Sequence, residues 1–349
     1  MFCGKRGGRG RASNPDYINP TYSIYYMTTK KQHLVIAGGG IAGICLYTAI
    51  RESHKRGEWR TENIKSIHAV SAGTMIATII ALRYDWDVID EYIISRPLHN
   101  LFKWENISFM NVFYNCGMID RTIFVDFLRP FFAGAESADI DVDITMREFR
   151  EKTGISMHFY CTELMAFEKV EMSAEKTPDL AVIDAIYRSC TIPFIMCPQR
   201  GVRDGGAVAD PPNLPSSKDI QNGEHDGGAV ADPPNGALRA PLYVDGYLKT
   251  NYPSRDCIIA CSDAAGACGA EHATEDNILG FRLKTPYTDV KNMIDLAKSI
   301  IFAIGNSALY PLKHEYVIDY NCFDTFDDIY LFFKSAARRR EIIISKNNP

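Results

Sequence analysis

The chain has 349 residues, 46% of them hydrophobic, and a formal net charge of −5. That length and composition supply a substantial core for one large α/β domain or two small ones, and the mild charge argues against wholesale nucleic-acid binding. No stretch reaches the roughly 18–20 apolar residues of a membrane span, and residues 1–26 lack the apolar core and small-residue cleavage site of a signal peptide, so a cytoplasmic location is expected.

Residues 1–29 are a basic, Gly/Arg-rich extension ("GKRGGRGR") expected to be disordered. A strand is predicted at Leu34–Ala37, then the glycine turn "GGGIAG" (38–43), then a helix over Ile41–His54. A second strand, Ile64–Val70, ends at Ser71, and "AGTMIATIIALRY" follows as a buried helix. Helical, aromatic-rich sequence runs to about residue 150. Its apolar part, 101–132, reads first as core and second as an acyl groove or lipid-facing surface. Another strand is predicted at 157–165 and a helix at 179–190. Such alternation predicts a mostly parallel sheet covered on both faces.

Residues 199–240 break the pattern. "DGGAVADPPN" stands at 204–213 and again, letter for letter, at 226–235, inside Pro/Gly-rich sequence that reads as a surface insertion. Strand-like sequence resumes in "PLYVDGYLKTNYP" (241–253), and "DCIIACS" (256–262) and "NILGFRLKT" are read as further strands. A long apolar helix is expected at about 287–310, and the basic tail 336–349 is expected to fray at its end. The ten cysteines are scattered and read as reduced thiols. Cys257, Cys261, Cys268 and His272 match no common zinc spacing, and the first two are expected on a strand.

Two turns carry chemistry. Gly38, Gly40 and Gly43 spell G-x-G-x-x-G between a strand and a helix, as in an FAD- or NAD-binding turn. That fingerprint also needs an acid at the end of the second strand, where this chain has Ser71. Ser71 sits instead among small neighbours, Ala69, Ala72 and Gly73, as a nucleophile elbow requires, although a helix-capping serine is the commoner use of such a residue. On adjacent parallel strands the two turns would face each other, and the amides of Gly38, Gly39 and Gly40 would point where an attacked carbonyl develops charge, as an oxyanion hole. For a base, His272 and His314 follow the serine in hydrolase order, whereas His68 is expected to pack locally. Asp245, at the end of "LYV" and before Gly246, would also emerge at a sheet edge, where burial raises a carboxylate's proton affinity.

Four segments, "GGGIAG" (38–43), "AVSAG" (69–73), "RSCTIPFIMCP" (188–198) and "VDGYLKTNYP" (244–253), together resemble the patatin-like phospholipases, in that family's order and over roughly residues 33–285. The resemblance implies a three-layer α/β/α fold with a mostly parallel central sheet, spanning here about 30–335. It implies phospholipase A-type acyl hydrolysis by a Ser–Asp dyad without histidine. Ser71 would be nucleophile, Asp245 base, and Gly38, Gly39 and Gly40 oxyanion donors, with Gly43, Ala69, Ala72, Gly73 and Gly246 shaping the turns. A lipid acyl ester, peripheral contact with a lipid surface, no specific nucleic acid, and no metal or organic cofactor go with it. The chain departs from the family at Ala42, often Arg or Lys there, at Ala69 for Gly, and at D-G-Y for D-G-G or D-G-A. These departures motivate the alternative of an inactive lipid-binding or scaffold protein. The duplicated segment also contains D-G-G, making Asp204 and Asp226 rivals of Asp245; Asp245 is preferred because a strand precedes it and Asn251 and Pro253 follow.

Overall fold

The structure, a computed structural model, describes residues 31–100, 116–134, 140–200, 241–268, 275–284, 309–319 and 326–345. The expected N-terminal extension, the helix at 287–310 up to residue 308, and nearly all of the repeat-bearing insertion, with Asp204 and Asp226, lie outside the described residues.

One sheet organises the rest. Its strands are β1 (His33–Ile36), β2 (Ser66–Val70), β3 (Ser156–Glu163), β4 (Glu168–Ser173), β5 (Gln199–Arg200), β6 (Leu242–Asp245), β7 (Ile278–Leu283) and β8 (Glu315–Ile318). They lie in the order β5-β6-β3-β2-β1-β7-β8, with β4 also on β3. From β8 through β7, β1 and β2 to β3 all pairs are parallel; β4, β5 and β6 join antiparallel. The helices are α1 (Gly43–Lys55), α2 (Ala72–Ala81), α3 (Trp86–Ser95), α4 (Arg121–Ala133), α5 (Met146–Thr153), α6 (Val182–Cys190), α7 (Ser254–Cys268), α8 (Phe326–Lys334) and α9 (Ala336–Arg340).

The alternation of side chains along β1 divides the core in two. Leu34 and Ile36 belong to one buried cluster with Leu46 and Ile50 of α1, Ile80 of α2 and Ile186 of α6. Val35 and Ala37 point the other way, onto Tyr252, Cys257, Cys261, Ile278 and Leu312. The sheet is therefore covered on both faces, giving the three layers expected from the sequence.

The register on β3 positions the site. β2 pairs with Ser156–Tyr160, β6 with Cys161–Glu163, and β4 with both stretches from His158 onward. A strand has two edges, and β4 occupies one. So β2 and β6 share the other, running toward each other, with Val70 opposite Tyr160 and Asp245 opposite Cys161.

Several expectations change. "DCIIACS" is no strand but part of helix α7; Ser254, Cys257 and Cys261 turn inward at helical spacing while Ile259 faces solvent. A short apolar run does not by itself separate a strand from a buried helix. β4 has no apolar signal in the sequence because "EKVEMS" is polar, buried only at its last two residues, and held by its hairpin with β3. The insertion starts later than expected, because Gln199 and Arg200 form β5, opposite Tyr243 and Leu242. In the aromatic stretch, Val125, Leu128, Phe131 and Phe132 of α4 are core; residues 101–115 lie outside the described residues.

The basic tail is docked as far as it is described; its end, expected to fray, lies outside the described residues. Arg339 is 2% exposed and donates to the carbonyls of Ile94 and Arg96 at the end of α3 and of Phe332 and Phe333 at the end of α8. Helix C-termini leave such carbonyls without partners, and a cation there is also favoured by the helix dipole. Ile342 and Ile343 are buried behind it, and the Ile343 carbonyl accepts from Arg51 at 2.9 Å, whose guanidinium also pairs with Asp90. Arg339→Met should therefore leave several buried carbonyls unsatisfied and cost roughly 3–5 kcal/mol, read as a lowered midpoint in urea unfolding.

Candidate active site

The elbow at Ser71 follows from the ends of β2 and α2. Ser71 has φ 51° and ψ −130°, a conformation costly for any residue with a side chain. What holds it there is local. Its N–H donates to Ser189 Oγ at 2.8 Å, Ser189 Oγ donates to the Tyr160 carbonyl at 2.6 Å, and Thr74 Oγ1 donates to the Ser71 carbonyl at 2.7 Å. A Cβ on Gly73 would stand 2.7 Å from the Ala37 carbonyl oxygen, so α2 starts against β1 only because residue 73 has no side chain. Ala69 is fully buried on β2, and a Cβ on Gly43 would meet the Cβ of Ala72 at 2.7 Å, so the small residues let the two turns approach.

Asp245 ends β6 and arrives from the opposite direction. Its carboxylate accepts from Ser71 Oγ at 2.8 Å through Oδ2 and from the Tyr247 N–H at 2.7 Å through Oδ1. Its own backbone is fixed by the Thr191 carbonyl, 2.7 Å from its N–H, and by Thr162 Oγ1, 3.0 Å from its carbonyl. At Gly246 a Cβ would lie 2.2 Å from the Tyr160 carbonyl oxygen, so the chain turns away from β3 only with glycine there. Ser71 and Asp245 are 3% and 4% exposed. Burial pushes the Asp245 carboxyl up to about 7, against the smaller opposing effects of the Tyr247 N–H and the Ser71 hydroxyl.

The glycine turn lies beside this pair. Gly38 is so close that a Cβ on it would stand 3.2 Å from Ser71 Cβ and 3.3 Å from the Tyr247 ring. Its N–H, expected to face the substrate, is committed to the Asn251 carbonyl at 3.1 Å. Gly39 and Gly40 remain: they precede the first bonded turn of the helix, and no hydrogen bond among the described residues takes their N–H groups.

The histidines stand elsewhere. His68 is buried with Nδ1 on the Tyr160 hydroxyl at 2.8 Å and its ring stacked 4.2 Å from that of His158; burial holds it well below its usual range, hence neutral. His314 Nε2 meets Asp276 at 3.0 Å, and His272 lies outside the described residues. Cys257 and Cys261 sit one turn apart on α7, and no group of three or more His, Cys, Asp or Glu able to hold a metal occurs among the described residues. Ser189 and Asn251, which hold the two turns in place, stand out in the sequence only as members of motifs. Their signal was faint: a polar residue at the end of an apolar helix and an asparagine just past a glycine turn.

A family model described as patatin-like phospholipase matches residues 34–258, well over half of the chain. The chain belongs to the patatin-like phospholipase family. An uncharacterized protein, R571, of Acanthamoeba polyphaga mimivirus is 24% identical over 177 residues, covering 48% of this chain and 54% of that protein. The chain thus spans about half the length of this relative. Among solved structures, VipD from Legionella pneumophila is similar at 12% identity and a TM-score of 0.45, covering 90% of this chain and 67% of VipD. ExoU, in the ExoU–SpcU complex of Pseudomonas aeruginosa, matches at 13% identity and a TM-score of 0.34, covering 91% and 52%. Membership of the patatin-like family supports lipid hydrolase activity.

The raised carboxyl has a consequence for stability. Folded Asp245 keeps its proton up to about pH 7, whereas its ordinary value is 3.8. Between those values the unfolded chain binds fewer protons, so stability falls as pH rises and stays at its reduced level above pH 7. Asp245→Asn removes the buried charge. It should stabilise the fold at pH 8 by on the order of a few kcal/mol, read as a higher thermal midpoint, with little gain at pH 4. Melting curves of both proteins across that range check this.

Proposed function

We propose that this chain is a phospholipase A-type lipid acyl hydrolase in which Ser71 is the nucleophile and Asp245 the base. The observation that carries the reading is the 2.8 Å hydrogen bond from Ser71 Oγ to Asp245 Oδ2, in a site from which water is largely excluded. A carboxylate in water is too weak a base to activate a hydroxyl. One raised to about 7 is poised near neutral pH, where general-base catalysis works best.

In the proposed reaction Ser71 Oγ attacks the ester carbonyl carbon as its proton passes to Asp245. The carbonyl electrons collect on oxygen, where the N–H groups of Gly39 and Gly40 stabilise them. Collapse breaks the bond to the alcohol, which leaves with the proton from Asp245. Water then attacks acyl-Ser71 with Asp245 again as base, releasing the fatty acid and restoring the serine. No metal and no organic cofactor enters these steps. The FAD or NAD reading of the same turn finds no support: β2 ends without an acid, and the Gly38 N–H is already bonded.

Ser71→Ala should lose at least about a thousandfold in turnover of a phospholipid or short-chain ester while keeping a cooperative melting curve, its midpoint lowered modestly because one buried oxygen of Asp245 loses its partner. A fluorophosphonate probe should label wild type at Ser71, located by mass spectrometry, and should not label the variant; an inactive binding protein would give no label in either. For wild type, log kcat/KM should rise with pH and level off near pH 7, where Asp245 ionises.

The insertion provides a test of the carboxylate. Its flanks, Arg200 and Leu242, are paired across β5 and β6, so the chain ends to be joined already stand side by side. Replacing 201–241 with a two-residue hairpin turn should preserve activity, because loop length changes closure entropy only slowly. Asp245→Asn should abolish turnover, while Asp204→Asn with Asp226→Asn should leave kcat/KM within about twofold of wild type.

A further inference from the structure

Two turns beside the dyad contradict the usual chemistry of turns. Exposed turns favour Gly, Asn, Asp, Ser and Pro. The β3–β4 hairpin instead turns on Leu164, Met165, Ala166 and Phe167. Met165 is 64% exposed and Phe167 42%. After α6 the chain turns again through Pro193, Phe194 and Ile195, and Phe194 is 81% exposed. Beside it Met118, also exposed, donates its N–H to the Ile195 carbonyl at 2.8 Å.

Both aromatics sit at positive φ, 54° for Phe167 and 69° for Phe194. Bulky residues are outliers there, and asparagine or glycine would fit at lower cost. Exposed and strained, these rings add nothing to the core. The turns themselves are firmly held: the Glu163 carboxylate accepts from the N–H groups of Met165 at 3.2 Å and Ala166 at 2.6 Å. The apolar side chains are therefore presented from fixed backbone.

Their position relative to Asp245 is the decisive point. Cys161, paired with Asp245, lies three residues before Leu164. Thr191, whose carbonyl accepts from the Asp245 N–H, lies three residues before Phe194. A third segment, leaving Asp245 itself, brings the Lys249 ammonium to 4.2 Å from the centre of the Phe167 ring. The apolar turns thus flank the dyad's carboxylate, with a cation at the level of one of the rings. A side chain that enters the acyl region of a bilayer needs an apolar tip, and a cation beside it meets anionic headgroups.

We propose that Met118, Leu164, Met165, Phe167, Phe194 and Ile195 form a lipid-surface docking rim that seats the mouth of the site on a bilayer, with Lys249 in the headgroup layer. The proposal rests on the acyl-hydrolase reading for its choice of a bilayer as occupant. Lipid substrates reside in such a surface, and a rim continuous with the site shortens their path out of it.

The test uses the full chain with Met165→Ser, Phe167→Asn and Phe194→Asn combined. Asparagine tolerates both backbone conformations, so this variant should melt no lower than wild type. It should bind vesicles of phosphatidylcholine with a minority of phosphatidylserine about tenfold or more weakly in flotation, and hydrolyse vesicle lipid correspondingly slowly. Turnover of a dissolved short-chain ester should be unchanged. Lys249→Gln should weaken binding to the mixed vesicles but not to pure phosphatidylcholine. Ser71→Ala should bind vesicles as wild type does, which separates docking from catalysis. If wild type turns over no ester, the hydrolase reading fails while the flotation result still decides the rim. Vesicle binding by the triple variant equal to wild type would overturn the rim. So would loss of self-association, rather than of vesicle binding, in that variant, which would make a second copy of the chain the occupant.

Discussion

The site depends on two strands meeting head to head along one edge of β3. β2 climbs that edge as far as Tyr160, and β6 descends it as far as Cys161. Pairing advances in whole residues, so the strand ends that carry Ser71 and Asp245 are brought within one step of each other. Neither chain can continue. Each must leave the sheet at once, and each does so where a Cβ would strike a carbonyl, at Gly73 and at Gly246. Ser189 Oγ ties the junction together by donating to the Tyr160 carbonyl of β3 and accepting from the Ser71 N–H. The 2.8 Å bond between serine and aspartate is the outcome of this collision of strands.

That outcome is expensive locally. Ser71 holds a backbone conformation that side chains resist, and Asp245 holds a carboxyl that burial disfavours as an anion. Strain of this kind persists only where the surroundings over-determine it. Here they do: two cores press on β1 from opposite faces, and Asp245 is fixed through its N–H, its carbonyl and both carboxylate oxygens. In the proposed reaction the charge that serves as base is the same charge that weakens the fold, a trade of stability for activity.

The folded unit also extends beyond the segment matched by the family model. That match stops at residue 258, yet β7, at 278–283, lies in the middle of the sheet against β1. Beyond it, Arg339 joins the ends of α3 and α8, and Ile343 is fully buried. The described C-terminal segment is part of the core, which is why basic residues there do not imply a solvated tail. A guanidinium can cap several carbonyls at once, and sequence shows only its charge.

The strand–turn–helix units at both glycine and serine turns are legible in the chain, because apolar runs and small residues at fixed positions are local properties. The sequence also singles out Ser71 and Asp245 as candidates, through the elbow pattern and an aspartate between a strand and a glycine. Their contact, 174 positions apart, came only with the tertiary structure, as did the direction of β6, for a strand's partner is not written in its own residues. The same holds for the glycine amides. Three looked equivalent in "GGG", and only the arrival of Asn251 takes the first of them out of reach. α7 departs from the strand expected there for the complementary reason: five apolar residues suit a strand or a buried helix equally well, and the choice belongs to the face they must cover. The aspartate's proton affinity is decided the same way, since burial is a property of everything packed around a residue and not of the residue itself.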